Sequence, residues 1–420
     1  MKEARGSPLD LVFRHEAGRL QAYLLRRLGP RHFDLAEEAV ADAFLAAAKT
    51  WPVAGAPRDP RAWLLAIAHR KALDRLRRAK TAERKAVLLR PHGEGCEIEP
   101  LRPDLDDEIA VLLLAAHPAL PRDAQVALTL RTLAGLSTRE VARALLVPEA
   151  TAAQRIVRAK KALRALGPIP PLRPADLPAR VASVLDVLYL VFAAGHHASE
   201  GDALVRGQLV ADALRLAERL AESVERMRAV RACLPGVHAL LSLMHFHAAR
   251  LPARTDGLGD LVLLPAQDRA RWDEEHLARG FLHLDRAAAG REVSRFHLEA
   301  GIAAVHAQSR GDADTDWPQI LSLYDELVAA WPTPVVRLNR AVAVARVHGP
   351  AAALESIAPL SARRELRDYA PFYAVRGELL RQAGRREEAA RCFEQALACP
   401  CSEPQRRYFA RLASRLRGAA

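Results

Sequence analysis

The stretch that most constrains this chain is Gly135–Leu163, GLSTREVARALLVPEATAAQRIVRAKKAL. Ser137 stands three residues before Glu140 and ahead of an apolar run. That is the pattern of a capping box, in which each side chain satisfies an orphan N–H at a helix start. Val141, Ala144 and Leu145 follow at the spacing of one helix face. Leu146-Val147-Pro148 interrupts the run, and Pro148 suits the first position of a second helix, where its missing N–H would have no partner anyway. The second helix, about Pro148–Leu166, buries Ile156, Ala159 and Leu163 and carries Gln154, Arg155, Arg158, Lys160, Lys161 and Arg164 on its other faces. Two short helices, a tight turn and a basic second helix describe a helix-turn-helix, whose second helix enters the major groove. There arginine reads guanine bidentately, and further lysines and arginines neutralise phosphate. The same residues also suit a helical hairpin with a solvated basic face.

An all-α fold agrees with the remainder of the chain. Of 420 residues half are hydrophobic and only 5% aromatic, and β-branched runs are scarce beside Ala, Leu and Arg. The length accommodates two or three domains. The net charge is +12, and residues 1–170 hold most of the excess, with 29 Lys and Arg against 20 Asp and Glu. A basic front half is the electrostatic footprint of a nucleic-acid binder. Cys96, Cys233, Cys392, Cys399 and Cys401 form no CxxC pair and point to reduced thiols in a cytoplasmic protein. No signal-peptide pattern and no apolar run of about 18 residues stands out, so no membrane partner is expected. Walker A, GxGxxG, HExxH and GxSxG motifs are missing, so neither an enzyme nor a cofactor is expected. Neither His196-His197 nor His245 and His247 share a helix face, and Asp256–Gln267 lacks the terminal Glu of a calcium loop, so no metal is expected either.

Along the chain, residues 8–80 form a first helical unit. Its helices are Asp10–Leu28, Asp34–Thr50 with Asp34 as cap, and a third from Pro60 capped by Asp59. Leu35, Ala39, Ala43 and Phe44 make the buried stripe of the second helix, with Glu37, Glu38 and Asp42 off it. In the third, Trp63, Leu64, Ile67 and Leu73 face inward, and Arg70, Asp74, Arg77 and Arg78 share an exposed face. Residues 81–106 are a charged linker without period. Residues 107–167 form the second unit, ending in the helix-turn-helix and closed by a proline-rich boundary. Residues 176–310 are a helical extension with runs at Leu177–Phe192, Val205–Arg226, Gly236–Ala249, Trp272–Ala289 and Val293–Ala307. Arg250–Asp268 is its one long irregular loop, a kind of segment that often carries function but that surface packing explains more simply. In residues 311–420, Tyr373, Gly377, Leu380, Gly384, Ala389, Phe393 and Ala396 match a tetratricopeptide spacing, and Leu338, Ala341, Ala345 and Gly349 give a weaker copy.

The order of these segments resembles bacterial sigma factors of the extracytoplasmic-function type. DLAEEAVADAFLAAAKTW (Asp34–Trp51) is similar to region 2.2, PRAWLLAIAHRKALDRLRR (Pro60–Arg78) to regions 2.3 and 2.4, and Gly135–Leu163 to region 4.2. His117–Thr138, LYLVFAAGHHASEGDALVR (Leu188–Arg206), LVLLPAQDRARWD (Leu261–Asp273) and DTDWPQILSLYDELV (Asp314–Val328) look like the subgroup with a tetratricopeptide-like C-terminal extension. Ala115 and Ala116 stand where that subgroup often carries paired cysteines.

The resemblance implies core RNA polymerase, through its β′ coiled coil and β flap, and promoter DNA as partners. It implies polymerase docking by Asp34, Glu37, Glu38, Asp42 and Phe44. It places Arg61, Trp63, Arg70, Lys71, Arg75, Arg77 and Arg78 near the −10 element, although the spacing of Trp63 with Leu64 and Ile67 suits core packing better than base stacking. It places Thr151, Gln154, Arg155, Arg158, Lys160 and Lys161 at the −35 element, with Gln154 and Arg155 as base readers. The repeats would present a groove to a protein or peptide partner and regulate the front half. A helix-turn-helix regulator with a helical effector domain, acting without polymerase, is the competing reading, and it leaves Asp34–Arg78 unexplained.

Overall fold

A computed structural model describes residues 8–87, 106–145, 147–165, 174–196 and 207–418. Among these residues the chain is helical, with no strand and a single isolated bridge between Thr255 and Leu261. It divides into two compact units, Met1–Val191 with Glu222–Arg231, and Phe192–Ala221 with Ala232–Ala420. Most of the expected linker, Leu146, residues 166–173 of the proline-rich boundary, His197 and Cys96 lie outside the described residues.

In the first unit, α1 (Pro8–Leu28), α2 (Phe33–Ala54) and α3 (Pro60–Val87) pack together, and α3 continues seven residues past the expected boundary at 80. Leu20, Leu24 and Leu25 of α1, Ala36, Ala39, Val40 and Ala43 of α2, and Leu64, Ala68 and Ala72 of α3 are buried. The small residues recur at helical spacing, which lets the helices approach closely. Asp59 caps α3 as its sequence predicts, its carboxylate accepting from Ala62 N–H at 2.9 Å. Asp34 does not cap α2: the helix starts one residue earlier, at Phe33, and no side chain caps it. Phe33 is fully buried, which anchors the helix start that polar-cap reasoning shifted.

α4 (Asp107–Ala115), α5 (Arg122–Thr132), α6 (Thr138–Leu145) and α7 (Glu149–Ala165) follow, and α8 (Leu177–His196) contributes its first part to this unit. The Arg180 guanidinium donates to the Leu113 carbonyl at 3.1 Å, and Arg122 donates to the Ser183 carbonyl at 2.9 Å and pairs with Asp186 at 2.7 Å. α1 meets this group directly. Arg26 pairs with Asp107 at 2.6 Å, and a Cβ on Gly18 would lie 2.2 Å from the Leu133 carbonyl oxygen. Only glycine allows that backbone approach.

The second unit holds most of α9 (Gly207–Arg226), then α10 (Leu234–Ala249), α11 (Glu274–Ala287), α12 (Arg295–Gln308), α13 (Trp317–Ala330), α14 (Pro334–His348), α15 (Pro350–Ile357), α16 (Ala370–Gln382), α17 (Arg386–Ala398) and α18 (Glu403–Arg417). From α10 to α18, successive helices pack as neighbours. The α14–α15 and α16–α17 turns each pass through a glycine of positive φ, Gly349 at 87° and Gly384 at 77°. Gly377 faces Phe393 and Cys392 so closely that a Cβ would lie 3.1 Å from the Phe393 ring and 3.2 Å from Cys392 Cβ. Trp272 precedes α11 rather than joining it, and is buried. Two helical stretches, Pro174–His196 and Arg228–Ala253, reach the length and apolarity of a membrane span, although no such run stood out in the sequence. They are 50% and 61% buried over their apolar part, as core helices are.

Candidate functional site

The helix-turn-helix forms from the residues that encode it. Ser137 N–H donates to the Glu140 carboxylate at 2.8 Å, and Glu140 N–H donates to Ser137 Oγ at 3.2 Å, so the capping box is closed in both directions. Val141 and Ala142 are buried on α6, and Ala152, Ile156, Ala159 and Leu163 on α7. Pro148 stands just before α7, where its carbonyl accepts from Thr151 and Ala152 N–H. Gln154, Arg158 and Lys161 are exposed, whereas Thr151 is half-buried. Arg155 is half-buried too and pairs with Asp123 of α5 at 2.9 Å. Lys160 turns away from solvent, its side chain 12% exposed, and pairs with Asp34 at 3.1 Å and Glu37 at 2.5 Å. Burial, then Arg131, pushes Lys160 down to about 8 despite the two carboxylates. The ammonium is thus still charged at neutral pH.

On α3, Arg70, Lys71, Arg77 and Arg78 are exposed, as is Arg61, which reaches Glu16 at 3.4 Å. Asp74 approaches Arg77 at 3.9 Å. Arg75 does not join the exposed row: it is paired with Glu38 and, at 2.8 Å, with Asp42. Trp63 is half-buried, edge-on to Trp51 with ring centroids 5.6 Å apart.

The α2 acids are therefore all engaged. Asp34 pairs with Lys160 and Arg164, Glu37 with Lys160 and Arg131, and Glu38 and Asp42 with Arg75. Phe44, expected at the docking surface, is 6% exposed and belongs to the core. The helical stripe that buries Ala36, Ala39, Val40 and Ala43 takes it inward. Arg131 and Arg164 were not among the site residues suggested by sequence, because nothing in their own helices marks a partner on α2.

In the second unit, four histidines meet between α10 and α11. His238 Nδ1 lies 3.1 Å from His283 Nδ1, His245 Nδ1 lies 2.8 Å from His276 Nδ1, and the His245 and His283 rings stack 5.5 Å apart. His245 and His247 diverge, His247 facing His196 and Phe192 instead. Burial and neighbouring positive groups push His245 down to about 3 and His283 to about 4, so both rings are neutral at pH 7. The 3.9 Å approach of His245 to Glu218 is then no ion pair, and Arg279 takes that carboxylate at 3.2 Å. Among the described residues, no group of three or more His, Cys, Asp or Glu side chains is arranged to hold a metal ion. Cys233, Cys392, Cys399 and Cys401 are free thiols.

Residues 12–82 match sigma-70 region 2, residues 110–163 match sigma-70 region 4, and residues 180–288 match a family of unknown function, DUF6596. An uncharacterized protein of Rhizobium meliloti (strain 1021), R00370, is 37% identical over 389 residues, covering 90% of this chain and 89% of its own length. No solved structure matches the chain. The two sigma-70 matches fall on α1–α3 and α4–α7, the helices that carry the acidic, arginine-rich and helix-turn-helix surfaces.

Proposed function

The chain belongs to the sigma-70 family, as a sigma factor of the extracytoplasmic-function type with a helical C-terminal extension, and from that premise we propose how it divides the work of transcription initiation. Its partners are RNA polymerase and promoter DNA. The α2 acids Asp34, Glu37, Glu38 and Asp42 dock on the basic β′ coiled coil, a charge match that speeds encounter. Arg61, Arg70, Lys71, Arg77 and Arg78 follow the backbone of the −10 element, where melted strands offer phosphate charge and splayed bases. α7, beside the β flap, reads the −35 element through Gln154 and Arg155, with Thr151, Arg158 and Lys161 on phosphates.

The observation that carries this reading is the pairing of two sigma-70 regions with a closed helix-turn-helix whose exposed face bears Gln154, Arg158 and Lys161. Docking must exchange the internal partners of α2 for polymerase, because one carboxylate face cannot serve both. Arg75 and Lys160 reach their DNA only when those pairs open. The extension, including hairpins we read as tetratricopeptide-like, regulates the front half by binding a partner. The protein works in the cytoplasm, beside its polymerase.

In vitro transcription with core polymerase tests the reading, using the full chain and a chain cut after residue 196 on genomic templates. Specific initiation by at least one form is expected, and different output between the two reports control by the extension. Absence of specific initiation by both forms overturns it.

A further inference from the structure

Two of the extension segments marked by sequence, Leu261–Asp273 and Asp314–Val328, are not used by the promoter-reading assignments, yet the fold brings Arg269 and Trp272 of the first and Trp317 of the second beside Arg250, His306 and Arg346. The Arg269 guanidinium lies 4.0 Å from the centroid of the Trp272 ring, and that of Arg250, at the end of α10, lies 5.6 Å from it. Arg346 of α14 lies 5.0 Å from the Trp317 ring, and His306 of α12 meets Trp317 edge-on at 5.3 Å. Burial first, then the charges of Arg250, Arg269 and Arg346, push His306 down to about 4, so all three guanidiniums act on one imidazole. Asp312 pairs with Arg346 at 2.8 Å.

The donors in this cluster outnumber what the protein offers them. Arg269 Nε and Nη1, Trp272 Nε1 and His306 Nδ1 are buried and have no hydrogen-bond partner in the chain. Trp272 itself is 5% exposed. Arg250 has a long contact of 3.4 Å to Gln267 Oε1. A buried donor left unpaired is costly, and guanidiniums gathered around one imidazole repel one another. A bound oxyanion removes both penalties, since its lone pairs accept from several N–H groups while its charge neutralises the cluster.

The loop around the cluster is also fixed in advance. Arg254 donates to the His196 carbonyl at 2.6 Å, and Arg271 donates to the Thr255 carbonyl at 3.1 Å. Gln267 donates to the Val262 carbonyl at 3.1 Å, and Arg407 and Arg411 clamp Asp260 at 2.6 and 3.0 Å. Trp272 N–H donates to the Arg269 carbonyl at 3.0 Å, and the side-chain bonds above hold the flanking loop, the preorganisation a binding site needs.

We propose that Arg250, Arg269, Arg346, Trp272 and His306 form a binding site for a small oxyanion-bearing ligand, a phosphate or a carboxylate, in the C-terminal extension. The site stands on the geometry of the second unit alone and is independent of the promoter-reading assignments.

The test is calorimetric titration of the full chain with inorganic phosphate and, separately, with citrate, at an ionic strength held constant with sodium chloride. Thermal unfolding in each anion accompanies it. Saturable binding of one or both anions is expected, with a Tm that rises with concentration as linkage requires. Binding of phosphate alone assigns a phosphoryl group, and binding of citrate alone a carboxylate. Arg269→Gln should weaken binding at least tenfold. Trp272→Phe, which keeps the aromatic wall and removes the indole N–H, should weaken it several-fold. No saturable binding of either anion by the wild-type chain overturns the proposal, as does an equal Tm response to chloride. Unchanged affinity in Trp272→Phe overturns it too, and decides the matter if Arg269→Gln does not fold.

Discussion

At the scale of single residues, what a sequence shows of a side chain is its type and spacing, and what it hides is the partner. Ser137, Glu140 and Asp59 were legible because their partners are the backbone three residues away. Arg75, Arg155 and Lys160 were legible as cations but not as paired ones, because their carboxylates lie at least 32 positions off in the chain. Arg155 illustrates the consequence. Its replacement by alanine should cost about 1–3 kcal/mol at the matching base pair of the −35 element. Asp123→Ala, which releases Arg155, should leave that discrimination intact or raise it; binding of promoter and mutated-promoter duplexes at fixed salt measures both. The buried histidines give a prediction of their own. His245 sits near 3, and His283 and His306 near 4, all below the ordinary 6.5 of the unfolded chain. Unfolding therefore takes up protons between about pH 6.5 and 4, so the stability is fully present above 6.5 and declines as pH falls through that window. The loss should be on the order of 2 kcal/mol each for His245 and His306 and smaller for His283, which solvent screens more, and less than additive for the stacked His245 and His283. Tm measured in phosphate-free buffer from pH 8 to 5 should be level above 6.5 and fall below it, and a level profile down to 5 would contradict neutral buried imidazoles.

At the scale of elements, α2 and α7 were each readable by themselves, α2 as an acidic amphipathic helix and α7 as a basic one, but their mutual engagement was not. The approach of α1–α3 to α4–α7 rests on two unlike supports. One is electrostatic: Asp34 and Glu37 against Lys160, Arg164 and Arg131. Partly exposed pairs of this kind are worth about 0.2–1 kcal/mol each, so the cluster is strong enough to bias a conformation and weak enough to exchange. The other is steric: Gly18 of α1 against the Leu133 backbone at the end of α5. If α2 is the docking helix, polymerase competes with α7 for it, and loosening either support should favour polymerase. The double replacement Arg131→Ala and Arg164→Ala removes charge from neither the proposed docking face nor the proposed DNA contacts. Gly18→Ala places a methyl group where the Leu133 carbonyl lies and touches no charge. Both variants should bind core polymerase several-fold more tightly than the wild-type chain, the first with a smaller gain at high salt because its effect is screened. Equal affinity in all three proteins would mean that α2 docks without giving up α7, or that another surface docks.

At the scale of the whole molecule, the all-helical character and the long helical extension were legible because periodicity, caps and glycine turns are local signals, and the promoter-reading front through its resemblance to sigma factors. The end of the front part was less legible. Proline-rich composition after Gly167 looks like a boundary, yet the first compact unit continues through Val191. The reason is the helix beyond the prolines. α8 brings Leu177, Val181, Val184, Val187 and Leu188 to burial, and its Arg180, Ser183 and Asp186 bond to Leu113 and Arg122 of region 4. An apolar helix cannot show from its own sequence which side of a boundary it packs on. A chain cut after Gly167 should therefore lose those apolar contacts and leave the Leu113 carbonyl and Arg122 without their α8 partners, whereas one cut after residue 196 keeps them. Thermal unfolding should show the shorter chain less stable by several °C, with a lower yield of soluble protein. If the two fragments melt together, α8 contributes nothing to the front unit, and the proline-rich stretch is its boundary after all.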